Sequence, residues 1–286
     1  MTLQDLDPLY FSDKPWADRL KDWLAQRASS QTFISADAHA VEAISQRPDI
    51  GLRMAVNMPP HALLRFLHEG RYKNGYELPA RAGSGKGSTS DTRREVDAAL
   101  FPSSSPPPAE HYFGAAVLGG SGVRYYGEYC VVLKVVADDT QVLDRNSYDA
   151  KFPPLVGLES IGNIMDRLRG RWRRDVVPMV KLKILPELGV APRLTTAGTA
   201  SEALLHDESF VEVHKHGTFG PGDVHEVRES AADASVETDL AGRRQRGRLR
   251  TVEESIWLAR RHLVDRALAA HDIRTRIIVT AGRTPR

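Results

Sequence analysis

The segment 210–226 restricts the fold of this chain more than any other stretch. It begins Phe-Val-Glu-Val-His-Lys-His, an alternation of apolar and polar residues that Gly217 ends. Residues two apart in a β-strand face the same way, so Glu212, His214 and His216 would form one polar row. A carboxylate beside two imidazoles is an arrangement that catalysis or metal binding can use. The same arrangement also suits the solvent-facing side of an edge strand.

The overall composition is that of a globular protein with little net charge. The chain has 286 residues, 41% of them hydrophobic and 27% charged, and a formal net charge of +2. This length permits one large domain or two modest ones. A net charge so close to zero gives no global field that would attract nucleic acid or anionic lipid. No apolar run approaches the roughly 20 residues that span a bilayer. We therefore expect no membrane partner and no specific nucleic-acid signal.

Cysteine usage and the N-terminus bear on location. Cys130 is the single cysteine, so the chain cannot form an internal disulfide, which suits a reducing compartment. The first residues are acidic and lack the apolar core of a signal peptide. We expect a cytoplasmic protein, or one that is exported without a cleavable signal peptide.

Strand-like segments concentrate in the middle of the chain and helix-like segments at both ends. This order predicts an α+β fold in which helices flank a central, largely antiparallel sheet. The expected organisation is an N-terminal helical segment (1–49), an α+β core domain (50–228), a mobile polar loop (229–250), and a C-terminal helix with a short strand that packs on the core (251–286).

Three local patterns support particular elements. Apolar residues at spacings of three and four predict a helix over residues 16–27. Thr251 and Glu254 have the spacing of a capping box, which predicts a helix start. We predict a further strand over residues 179–185.

Two readings compete with catalysis. His214 and His216, together with His225 and with Asp223 nearby, could form a metal site, since imidazoles suit Zn, Fe, Ni or Cu. Alternatively, the arginine-rich segments 167–174 and 243–250 could make the chain a non-enzymatic effector that binds a partner.

A series of short motifs follows in order between residues 50 and 228. They are Gly70-Arg71-Tyr72, Glu77, Ser88-Thr89-Ser90, Arg93 or Arg94 with Glu95, Leu100-Phe101, Phe113-Gly114-Ala115, Arg124-Tyr125-Tyr126-Gly127, Asp144-Arg145-Asn146-Ser147, Glu212-Val-His-Lys-His216-Gly217 and Asp223-Val224. In this order they resemble an uncharacterised bacterial family of unknown function. The resemblance departs from the family pattern at Phe113, where a tyrosine is expected, and at His214, where a glutamine is expected.

More distantly, the chain is similar to the ADP-ribosyltransferase superfamily. The resemblance pairs an early basic residue with a central Ser-Thr-Ser stretch and a late glutamate. It implies an ADP-ribosyltransferase-like fold and an NAD-dependent ADP-ribosyltransferase-like enzyme, with a bacterial toxin or effector as one form. NAD would be the substrate, a small-molecule dinucleotide, and the acceptor could be a protein.

The resemblance also implies site residues. Glu212 would stabilise the cation that forms when nicotinamide leaves, with His214 and His216 beside it as further catalytic candidates. The candidates for binding the dinucleotide are Arg53, Arg71, Ser88, Thr89, Ser90, Tyr125 and Tyr126. Two residues before Glu212 stands Phe210, where an arginine-directed transferase would carry a second acid.

Overall fold

One mixed eight-stranded β-sheet organises the protein in this computed structural model. The structure describes residues 12–27, 31–78, 91–101, 107–120, 122, 127–147, 161–188, 195–205, 210–243 and 246–278. The strands are β1 (Arg53–Met58), β2 (His111–Val117), β3 (Tyr129–Leu133), β4 (Gln141–Leu143), β5 (Arg169–Arg171), β6 (Glu212–His216), β7 (Val224–Ser230) and β8 (Thr275–Ile278). Their spatial order is β5-β4-β6-β2-β1-β3-β7-β8. The pairing of β7 with β8 is parallel and the other six neighbouring pairs are antiparallel. The expected α+β fold with a largely antiparallel sheet is confirmed.

Helices surround this sheet. They are α1 (Trp16–Gln26), α2 (Gln31–Ser45), α3 (Pro60–Glu69), α4 (Asp91–Leu100), α5 (Ile161–Leu168), α6 (Trp172–Leu188), α7 (Ala197–Leu204), α8 (Ala231–Arg243) and α9 (Val252–Ala270). The capping box at the start of α9 is present, because the Glu254 amide donates to Thr251 Oγ1 and the Thr251 amide donates to the Glu254 carboxylate. No helix in these ranges is both long enough and apolar enough to cross a membrane.

The loop expected at 229–250 is wrong over residues 229–243. Strand β7 continues to Ser230, and residues 231–243 form α8. This helix has few large apolar residues, of which Leu240 is buried, and ion pairs connect the helix to α9. Arg243 Nη1 lies 2.6 Å from Glu254 Oε1, and Arg261 Nε lies 2.6 Å from the carboxylate of Glu237.

The strand expected over residues 179–185 is also wrong, since these residues belong to α6. The helix has buried residues on all sides, so its sequence shows no polar stripe with a helical period. Its buried Lys181 places Nζ 2.6 Å from Glu42 Oε2 of α2. Helices α1 and α2 pack against α6, and residues of all three join the main hydrophobic core.

The sheet opens into a fork between β1 and β2. These strands pair only at Arg53–Val117, Met54–Ala116 and Ala55–Ala115 among the residues described. Beyond this point β1 stays paired with β3 as far as Met58, and β2 stays paired with β6 as far as His111. The two halves of the sheet therefore separate, and a space is left between the ends of its two central strands.

Gly114 stands where the strands part. A Cβ at this position would collide with the carbonyl oxygen of Ala55 and with the side chain of Met54. The absence of a side chain therefore lets β1 and β2 remain in close contact at the base of the fork. Apolar residues of α4 and α5 pack with Phe113 of β2 and Leu143 of β4 in a second hydrophobic cluster.

We predict that Gly114→Ala lowers the free energy of unfolding by about 1–3 kcal/mol, the usual cost of overpacking a close contact. Gly162→Ala is the matched control, because nothing lies within 4 Å of a Cβ there. Urea unfolding of both variants measures the difference. Equal stability of the two variants would show that the contact at Gly114 does not constrain the fork.

Candidate functional site

A cavity of about 220 Å³ fills the fork. Three consecutive residues from each diverging strand line it, residues 55–57 of β1 and 113–115 of β2. The remaining lining residues come from other elements and are Tyr72, Arg93, Asn146, Phe210 and Glu212. The cavity is thus lined by residues up to 157 positions apart in the sequence, from Ala55 to Glu212.

Glu212 is the carboxylate of this cavity. It pairs with Ala115 of β2 and with Leu143 of β4, so its side chain projects from the middle of the sheet. The residue is only 4% exposed. Its Oε2 accepts hydrogen bonds from the Ser147 amide and from His214 Nε2, both at 3.0 Å. Its Oε1 lies 3.9 Å from Arg93 Nη1, which is beyond hydrogen-bond reach.

His214 follows two residues later on the same face of β6, as the alternation predicted. It is 1% exposed, and its ring lies 5.0 Å from that of Phe113 and 5.6 Å from that of Phe101. Strand pairing places Gln141 of β4 opposite it, with Gln141 Nε2 3.0 Å from His214 Nδ1. Both ring nitrogens are thus satisfied, one by Gln141 and the other by Glu212.

The loop after β4 supplies a second hydrogen bond to the Glu212 carboxylate. Because Leu143 pairs with Glu212, the following residues run alongside the glutamate side chain. The Ser147 amide donates to it, and the buried Asn146 lines the cavity. The motif Asp144-Arg-Asn-Ser147 is therefore part of the site.

Arg93 places a positive charge at the wall of the cavity. It projects from the first turn of α4, and its guanidinium stacks 3.7 Å from the centre of the Phe113 ring. Its Nε lies 2.7 Å from Asp97 Oδ1, four residues along the helix. Asp97 is completely buried, and its other oxygen accepts a hydrogen bond from the Tyr76 hydroxyl at 2.7 Å.

The two carboxylates respond to burial in opposite ways. Burial raises the pKa of Asp97 above its ordinary value, and Arg93 and Tyr76 counteract only part of the rise. Burial alone would likewise raise the pKa of Glu212. The hydrogen bond and the electrostatic effect of His214, the charge of Arg93 and the hydrogen bond from Ser147 outweigh it, so the pKa of Glu212 lies below its ordinary value. Glu212 is therefore ionised at neutral pH although it is buried.

Tyr72 forms part of the cavity wall in a cluster of aromatic rings. Its ring stacks on Phe219 with 4.9 Å between centroids and an interplanar angle of 18°. Its backbone is fixed as well, because the Tyr72 amide donates to Phe219 O and the Thr218 hydroxyl donates to Tyr72 O. An aromatic face with so little freedom to move suits the binding of a flat or cationic group.

Arg53 and Arg71, predicted to bind a dinucleotide, do not line the cavity. The Arg53 guanidinium donates to the carbonyl oxygens of Pro48 and Lys134, so it joins the start of β1 to the end of β3. Arg71 is exposed and pairs with Glu77. Arg53 therefore does not line the cavity that holds Glu212, and Arg93 is the arginine that lines it.

His216, the third member of the predicted polar row, is exposed at the end of β6 and bonds Glu110, with Nε2 3.0 Å from Oε2. It does not line the cavity. The other candidates, Ser88, Thr89, Ser90, Tyr125 and Tyr126, lie outside the described residues.

The predicted metal set is not assembled. His225 lies on β7, four strands from β6, which corresponds to a separation of about 19 Å. His214 and His216 therefore cannot share an ion with it. No group of three or more His, Cys, Asp or Glu residues able to hold a metal occurs within the described ranges.

The first arginine-rich segment is largely paired. Its ion pairs are Arg167–Asp13, Arg169–Asp166, Arg173–Asp138 and Arg174–Asp175, and Arg171 donates to the carbonyl oxygen of Asp139. These contacts give the arginines local structural partners. The hypothesis of a partner-binding effector thus gains no support from this surface.

Comparison with known proteins adds no further assignment: no family model, curated protein or solved structure was found to match the chain. The site must be interpreted from its own geometry.

Sequence reasoning missed several lining residues. Arg93, Tyr72 and Asn146 occurred only as members of short motifs without an assigned role, and Asn57 was not singled out. The signal available for Arg93 was its spacing of four from Asp97, which predicts an ion pair on a helix. Nothing local connects that pair with Glu212, since α4 and β6 meet only in the folded protein.

We predict that Glu212 stabilises the folded protein most at neutral pH. Because its pKa is lowered from 4.5 in the folded state, the ionised form contributes stability that is complete above about pH 4.5. This contribution is lost as the pH falls through the lowered pKa. Denaturant unfolding of the wild type and Glu212→Gln between pH 3 and 7 should therefore show a difference in stability that shrinks on acidification. A constant difference over this range would mean that the pKa is not lowered by folding.

Proposed function

We propose that the fork binds the nicotinamide-ribose half of NAD and that the protein is an ADP-ribosyltransferase-like enzyme. The observation that carries the proposal is the buried, ionised Glu212 in a cavity with aromatic walls. Membership of the ADP-ribosyltransferase superfamily, and of the bacterial family with the same motif order, is part of this proposal.

The charge of the site favours a cationic ligand. Among the described residues that line the cavity, Glu212 and Arg93 carry charge, and the Arg93 guanidinium is paired with Asp97, which leaves the charge of Glu212 to act on a ligand. The pyridinium ring of NAD carries a positive charge, and the ribosyl group acquires one as the glycosidic bond breaks. A fixed, buried carboxylate such as Glu212 stabilises such a charge more than it would in bulk solvent.

The unpaired ends of the fork suit a carboxamide. Past Ala55 and Ala115, the peptide groups along the facing edges of β1 and β2 no longer pair with each other. Open strand edges offer alternating donors and acceptors to an extended or amide-containing ligand. A nicotinamide group in the fork would meet these edges, with the rings of Tyr72 and Phe113 close by.

The size of the cavity limits what it holds. Ligand pockets commonly have volumes of about 300–1,000 Å³, and this cavity measures about 220 Å³. It suits one half of a dinucleotide. The pyrophosphate and adenosine would extend beyond these walls, and Arg53 and Arg71 are engaged elsewhere.

The proposed step breaks the bond between the ribose anomeric carbon and the pyridinium nitrogen. The electron pair leaves with nicotinamide, which becomes neutral, and the ribosyl cation is held beside Glu212. The nucleophile, either water or an acceptor group on a protein, adds to the anomeric carbon and releases its proton to solvent. Phe210 lines the cavity in the place of a second acid, so activation of an arginine acceptor by that position is not available.

We predict that the protein consumes NAD and that Glu212→Gln lowers kcat by about 100–1,000-fold, the effect of removing one group that stabilises transition-state charge. The amide keeps the size of the side chain and can still accept from His214 and Ser147. Release of nicotinamide, measured by chromatography, provides the rate.

Glu110→Gln is the matched control, because Glu110 is an exposed acid outside the cavity. Its turnover should equal that of the wild type. Equal turnover by Glu212→Gln and the wild type, at matched folding, would remove Glu212 from this role.

A further inference from the structure

A chain of three side chains supports the acid of the cavity. Gln141 of β4 contacts His214 of β6, and His214 contacts Glu212, with 3.0 Å between the bonded atoms at each step. His214 and Glu212 are buried, and strand pairing fixes Gln141 opposite His214. The arrangement therefore has little freedom to change without disturbing the sheet.

The amide nitrogen of Gln141 determines the protonation of the imidazole. An NH₂ group can only donate, so Nδ1 of His214 must accept and carries no proton. The remaining proton of the neutral ring is then on Nε2, which faces Glu212 Oε2 at 3.0 Å. His214 thus donates from Nε2 to the carboxylate.

The two oxygens of Glu212 consequently have different surroundings. Oε2 accepts from His214 Nε2 and from the Ser147 amide. Oε1 has as its nearest positive group Arg93 Nη1, at 3.9 Å. A ligand hydroxyl or a developing cation in the cavity would therefore interact with Oε1.

We propose that His214, held by Gln141, is a positioning residue that orients Glu212 so that Oε1 faces the ligand. The catalytic consequence rests on the proposed function, whereas the orientation itself does not. The hydrogen bond from His214 fixes the rotamer of Glu212, the group that performs the chemistry. In metal sites, residues that hydrogen-bond to a metal-bound histidine have the same effect on that histidine.

The kinetics of two His214 variants distinguish a role in orienting Glu212 from a role in packing alone. His214→Leu fills the buried space without a donor, and His214→Gln keeps an amide that can donate to Glu212. We expect His214→Leu to lower kcat for NAD about 10–100-fold, the range for loss of such an outer partner, with little change in KM. His214→Gln should recover most of the loss. Equal loss in both variants, or a loss confined to KM, would overturn the positioning role.

A second measurement does not depend on turnover. Nitrogen-15 NMR of the histidine side chains should show a proton on Nε2 of His214, the nitrogen that faces Glu212, and none on Nδ1, which faces the Gln141 amide. Gln141→Glu replaces the donor with an acceptor of the same size, so the His214 ring should become protonated at Nδ1 as well. A wild-type ring protonated at Nδ1, or an unchanged spectrum in Gln141→Glu, would contradict the inference.

The two experiments fail differently. If the wild type releases no nicotinamide, the proposed function is wrong. The NMR measurement of His214 still tests whether this residue orients Glu212. If NAD is consumed but the tautomer is the other one, the proposed function stands and the positioning role is lost.

Discussion

The end of the β1–β2 pairing at Ala55–Ala115 is the constraint on which the site depends. Had the two central strands paired along their full length, the sheet would be continuous and its middle would be filled. Instead each strand follows its outer neighbour, and Gly114 allows close contact at the base of the fork. The opening places the Glu212 carboxylate of β6 beside a cavity without exposing it at the surface. The divergence of β1 and β2 therefore shapes the sheet and also creates the site.

Charge inside the fork is maintained by specific partners. A buried carboxylate is costly unless hydrogen bonds and opposite charges compensate for lost hydration. Glu212 has this compensation from His214, Ser147 and Arg93, and its pKa is lowered. Asp97 has less, and its pKa is raised. Arg93 lies between the two acids, so the position of α4 influences the electrostatics of the cavity although the helix belongs to neither half of the sheet.

The parts of this fold that were predicted from sequence are those with a local pattern. Period-two alternation over 210–216 predicted a strand and the shared face of Glu212 and His214. The capping box predicted the start of α9. Helix α6 was missed because it has buried residues on all sides, and α8 because it has few large apolar residues to form a periodic pattern. Arg53 was named as a candidate for binding the dinucleotide, but it does not line the cavity, because order along the chain does not reveal where the pairing of two strands ends. Only the folded register shows that Arg53 joins β1 to β3, whereas Arg93 reaches the acid.

The most direct test of this account is a crystal structure of the protein with an NAD analogue whose glycosidic bond cannot break. The account predicts the nicotinamide ring in the fork between β1 and β2, and a ribose hydroxyl within hydrogen-bond distance of Glu212 Oε1. An analogue bound outside the fork, or a fork closed by pairing of β1 with β2 beyond Ala55, would contradict it.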